Sequence, residues 1–153
     1  MNKQSLILEQ TDRKIAQLLA IEDLTVPSSG WIKAIRLSLG MSLRQLGNKI
    51  GITAQSTREI EEREISETVS IKVLKQIGNS LDMKFVYGFI PRSRSLESMI
   101  ELRAQEIARD IVSRTSITMR LEDQENHPER LRRAVEVKAA EIRREMPRFL
   151  WDY

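Results

Sequence analysis

The tightest constraint in this sequence is a break between two helical runs in "MSLRQLGNKIGITAQSTREIE", residues 41–61. Leu43, Leu46 and Ile50 recur at the spacing of one helix face, with Ser42 suited to cap the run. Gly51 then supplies the positive φ of a sharp helix stop without a Cβ penalty. A second run opens at once with Thr53, another capping residue, and turns Ile60 inward. Two helices joined so tightly must cross, and the small Gly47 lets their backbones approach. Other helices must then cover their apolar faces.

The flanking sequence supplies them. Trp31, Ile32, Ile35 and Leu39 stripe a preceding helix that ends at Gly40, and Ile71, Leu74, Ile77 and Leu81 stripe a following one opened by Ser66 or Thr68. Residues 30–82 therefore read as a four-helix unit. Residues 1–29 read as a helix, with Leu8, Ile15, Leu18, Leu19 and Ile21 near helical spacing, then a linker at "TVPSSG". "MKFVYGFI" is rich in β-branched and aromatic residues and closes at Pro91, so residues 83–91 are expected to form a strand. The sequence offers no second strand of similar quality, so a copy from another subunit is the economical partner for its edges. That makes Met83, Phe85, Val86, Tyr87 and Phe89 the expected dimerisation residues; a strand lying on its own helices is the alternative. Residues 92–153 read as two antiparallel helices separated by the polar "EDQENHPE", with Pro128 in a first helical turn. The tail "RFLWDY" is too apolar to be idle and should pack on the body or into a partner.

Composition limits what this mainly α chain can do. There is no cysteine, hence no disulfide framework or thiolate metal site. No apolar run approaches a membrane span, and residues 1–20 are too charged for a signal peptide, so the expected location is the cytoplasm, in association with the nucleoid. The six glycines are scattered rather than gathered into a phosphate loop. His127, the one histidine, has no partners spaced for catalysis or metal binding. Acidic pairs such as Glu61–Glu62 and Asp123–Glu125 read as solvated surface. No enzyme, cofactor, metal or catalytic set is expected. Residues 30–91 hold nine Lys/Arg against six Asp/Glu, so the excess positive charge sits around the helical break, a mild pointer to a polyanion.

The second helix of the break leaves Ala54, Gln55, Ser56, Arg58 and Glu59 facing outward. A helix of this kind fits the major groove, where Gln pairs with adenine, Arg with guanine and Glu with cytosine, and Ala can touch a thymine methyl. Ser42, Arg44 and Thr53 lie where phosphates could be met. The competing interpretation is a structural hairpin with a solvated polar face.

These residues resemble the helix-turn-helix of phage-repressor-like (XRE) regulators, and the likeness extends over residues 31–82, including "SIKVLKQIGNSLDM". Two positions depart from the family pattern: Gly47 stands for the more usual Ala, and Thr57 where an apolar residue is common. The resemblance implies a lambda-repressor-like domain that binds double-stranded DNA as a homodimer on a palindromic operator. "GWIKAIRLSLGMSLRQLG" and "MKFVYGFIP" with its following helices are similar to one subgroup, mobile mystery protein A, encoded beside a Fic-domain partner. What that implies is a repressor of its own operon that also acts as an antitoxin to a Fic-type toxin. The alternative is an inhibitor of a Fic enzyme that touches DNA only incidentally. "SLILEQ" loosely matches the helix by which some proteins inhibit Fic enzymes, which makes Ser5 and Glu9 candidate partner-binding residues; an amphipathic packing helix is the plainer account.

Overall fold

A computed structural model describes residues 2–121 and 127–153, with the backbone alone for 118–121. The pair Asp123–Glu125 and most of the "EDQENHPE" break lie outside the described residues. Seven α-helices follow in order: α1 (Lys3–Leu18), α2 (Trp31–Ser38), α3 (Leu43–Ile50), α4 (Ala54–Ile65), α5 (Ile71–Ser80), α6 (Leu96–Leu121) and α7 (Pro128–Glu145). Short 3₁₀ turns occupy Leu19–Ile21 and Arg148–Trp151. None of these helices is long and apolar enough to cross a membrane. The chain divides into two compact units, Asp23–Gly88 and Met1–Glu22 with Phe89–Tyr153.

In the first unit, α2 to α5 enclose Ile32, Leu46, Ile60 and Ile77, with Met41, Ile50, Ile52, Val73 and Leu74 packed around them. On α2 the inward pair is Ile32 and Arg36, while Trp31 and Leu39 of the expected apolar stripe are exposed. The cap of α5 is Ser70, whose hydroxyl accepts the Val73 N–H at 3.1 Å, rather than Ser66 or Thr68.

The dimerising strand is not formed. No described residue is in a β-strand, and Met83, Phe85, Val86, Tyr87 and Phe89 lie in irregular extended chain. A strand exists only through a ladder, and no described segment pairs with residues 83–90. The Met83 N–H donates back to the Gly78 carbonyl at the end of α5 at 2.7 Å. Phe85 and Tyr87 stack with ring centroids 5.9 Å apart, and Lys75 of α5 sits 5.4 Å from the Tyr87 ring centre. The β-branched and aromatic composition that suggests a strand instead lays residues 83–87 along their own helix.

In the second unit, α6 and α7 pack along a seam of Ala104, Ala108 and Ala139, closed by Ile100, Ile142 and Leu150. Alanines permit close approach of the two backbones, and the tail "RFLWDY" buries Leu150 against the body. Its neighbours Phe149, Trp151 and Tyr153 stay exposed. Arg103 fastens this tail: its Nε donates to the Leu150 carbonyl at 2.7 Å, and its guanidinium lies 4.3 Å from the Tyr153 ring centre. The N-terminal helix belongs here too. Ile15 is buried, Leu8 joins the core, and the Asp12 carboxylate accepts the Leu96 and Glu97 N–H groups at 2.7 and 3.1 Å. Asp12 thus caps α6 from a helix more than eighty residues away in sequence.

Candidate nucleic-acid interface

The helical break is built from local chemistry. Ser42 and Gln45 form a reciprocal capping box: the Ser42 hydroxyl accepts the Gln45 N–H at 3.1 Å, and the Gln45 side chain accepts the Ser42 N–H at 2.8 Å. At the far end of α3, Gly51 takes φ 81°, and the Gly47 carbonyl accepts from both Gly51 and Ile52. That left-handed stop satisfies a carbonyl which the helix would otherwise leave open. Thr53 then caps α4 by accepting the Ser56 N–H at 3.0 Å, and its hydroxyl donates to Ser56 Oγ.

The crossing of α3 and α4 turns on Gly47 and Thr57. A Cβ at Gly47 would meet the Ile52 carbonyl at 2.7 Å and the Thr57 hydroxyl at 2.9 Å. Thr57 is fully buried, with its hydroxyl donating to the Thr53 carbonyl at 2.9 Å. An apolar residue at 57 has no such tie to the helix start. Glycine at 47 and threonine at 57 accommodate one another.

Two acidic residues of α4 are structural, which the sequence reading missed. Glu61 is buried rather than solvated, and its carboxylate takes two bonds from Arg36, at 2.7 and 2.9 Å. The third arm of Arg36 donates to the Met41 carbonyl at 3.1 Å. The hydrogen bonds that Arg36 donates to Glu61 hold its guanidinium above its usual pKa, against the opposing pull of desolvation. Glu64 caps α2, accepting the Trp31 and Ile32 N–H groups at 2.7 and 2.8 Å. Thr57, Glu61 and Glu64 share one face at i, i+4 and i+7, which is the signal that could have placed them inward.

Ala54, Gln55, Arg58 and Glu59 in the first turns of α4 are exposed and Ser56 is half-buried; Glu62, Arg63 and Ile65 further along are exposed as well. Ser42, Arg44 and Thr53 are exposed at the starts of α3 and α4. The break therefore brings all eight sequence-selected residues onto helices α3 and α4 or their caps. Arg58 also edges a cavity of about 340 Å³ with Lys33, Leu43 and Glu62.

Ser5 and Glu9 belong to the other unit. The Ser5 N–H and hydroxyl both donate to Asn2, which caps α1, and Glu9 pairs with Arg13 one turn along. Both line an open groove of about 1250 Å³ between α1, α6 and α7. His127 sits exposed at the N-cap of α7, and no described group of His, Asp or Glu side chains is arranged to hold a metal ion. Comparison with protein-family models, with curated proteins and with solved structures returns no match.

Proposed function

We propose that this protein is a sequence-specific DNA-binding repressor that reads the major groove with α4. The observation that carries the reading is the sorting of the α3–α4 pair. Leu46, Gly47, Thr57, Ile60 and Glu61 are buried, while Gln55, Arg58 and Glu59 are exposed. The turn at Gly51 and the Arg36–Glu61 pair fix α4 in place, which is what a base-reading helix requires. The Arg36 partner also offsets the negative charge of Glu61 on a helix that would approach phosphates. Arg44 and Lys49 on α3 remain exposed for backbone contacts. Two copies on a palindromic operator would place their α4 helices in successive major grooves, about 34 Å apart.

The test is a gel-shift titration on a selected duplex and on random DNA. Gln55→Ala and Arg58→Ala should each cost about 1–3 kcal/mol on the selected site and little on random sequence. Equal losses on both would reduce these side chains to phosphate contacts.

A second reading, inhibition of a Fic-type partner protein, draws on the other unit. Leu6 and Ile7 on α1 are about half exposed, and Glu9 lies in the α1–α6–α7 groove. Glu9 must leave Arg13 to engage an arginine of a partner. Because α1 supplies Ile15 and the Asp12 cap, deleting it would disturb the fold, so point changes are the proper probe. Glu9→Ala should abolish neutralisation of a co-expressed toxin while leaving operator affinity unchanged; retained neutralisation would rule Glu9 out.

A further inference from the structure

We propose that Gln55 and Glu59 act as one coupled reader that selects bases carrying an amino group in the major groove. The inference rests on the DNA-binding reading above and deepens it. Gln55 Nε2 donates to Glu59 Oε1 at 3.4 Å, one helical turn along the exposed face of α4. Of the four glutamates in this helix, Glu61 is engaged by Arg36 and Glu64 by the start of α2. Among the described residues Glu59 forms no ion pair, although Arg63 stands one turn further along α4, and its carboxylate accepts from Gln55.

A free carboxylate on a surface that meets phosphates is repelled unless it finds a donor. A carboxylate has only acceptors to offer. In the major groove the donors are adenine N6 and cytosine N4, whereas guanine and thymine present acceptors. Glu59 therefore admits adenine or cytosine and rejects the other two bases at its position.

Its effect on Gln55 is the second half of the device. The terminal torsion of a glutamine is broad, so a free amide presents either edge. With one N–H directed at Glu59, the Gln55 oxygen and its second N–H face outward together. That donor–acceptor pair matches adenine N7 and N6. Removing Glu59 thus costs its own contact and releases the amide that reads the neighbouring base.

The test uses the full chain. A randomised duplex library selects a preferred site, and Kd is then measured for wild type, Gln55→Ala, Glu59→Ala, the double variant and Glu59→Gln. Each is titrated on that site and on single-base replacements. Both side chains are exposed, so unchanged melting temperatures should accompany every variant. The expected result is an adenine in the site whose preference disappears in Glu59→Ala as well as in Gln55→Ala. The double variant should lose no more than about the larger single loss, where independent readers would multiply. Glu59→Gln, which can also donate, should recover about tenfold on sites with guanine or thymine at the Glu59 position. Multiplicative losses, or a Glu59→Ala variant that keeps its adenine preference, would overturn the coupling while leaving DNA binding intact. A library that yields no preferred site would instead overturn the DNA-binding reading, and the coupled reader with it.

Discussion

The two units orient their helices by different means. In the unit of α2 to α5 the helices are 8, 8, 12 and 10 residues long, lengths at which an isolated helix is marginal at best. Their orientation comes from directional bonds: the Arg36–Glu61 fork, the Glu64 cap on α2, and the Thr57 hydroxyl. In the unit of α1, α6 and α7, helices of 26 and 18 residues lean on a non-directional alanine seam. Its ion pairs include half-exposed ones, as in the pairing of Arg143 with Glu97 and Glu101, while Asp12 and Arg103 bond to backbone at the two ends of the hairpin. A surface that must present side chains to a groove at fixed angles gains from directional bonds. A long hairpin can rest mainly on close apolar contact.

That contrast can be broken experimentally, because the chain's two tryptophans report separately, Trp31 from one unit and Trp151 from the other. Arg36→Ala leaves the buried Glu61 carboxylate unpaired and should cost about 3–5 kcal/mol, read as an early transition of Trp31 fluorescence. Simultaneous loss of the Trp151 transition would mean that the units melt as one. Since folding raises the Arg36 pKa, the contribution of the pair is complete below the ordinary arginine value and fades only as pH rises through the raised one. Melting of this unit should therefore not respond to Arg36 across moderately alkaline buffers.

Leu150→Ala should do the converse, opening a cavity under the α6–α7 seam at about 2–5 kcal/mol and moving the Trp151 transition alone. Gly47→Ala drives a methyl group against two backbone carbonyls, and should destabilise the Trp31 unit by about 1–3 kcal/mol in urea titration. A neutral or stabilised variant would show that the α3–α4 crossing is softer than its distances imply. The smallest effect belongs to Arg143→Ala, which removes two half-exposed ion pairs and should cost under about 1 kcal/mol by thermal melting.

The helical break was legible because its signals are local. Ser42, Gly51 and Thr53 act within three or four residues of themselves, so caps and stop could be placed from spacing alone. The outward set on α4 was legible for the same reason, since 3.6-residue periodicity assigns a face once Ile60 is known to point inward. The burial of Glu61 was not legible by residue type, because a glutamate is normally solvated unless a partner from another helix meets it. That partner, Arg36, is 25 residues away.

The sequence by itself therefore determined a mainly helical chain, the approximate positions of its short helices, and the exposure of Ala54, Gln55, Arg58 and Glu59 on α4, since periodicity and capping are near-neighbour effects. Only the tertiary structure decided what depends on distant partners. Residues 83–90 carry the composition of a strand, but a strand needs a ladder, and the backbone donor of Met83 is already engaged at the end of α5. Asp12 and Leu8 likewise say nothing of α6 and α7 until the chain has folded back. Composition sets what a segment can bond to; which partner it meets is fixed by packing.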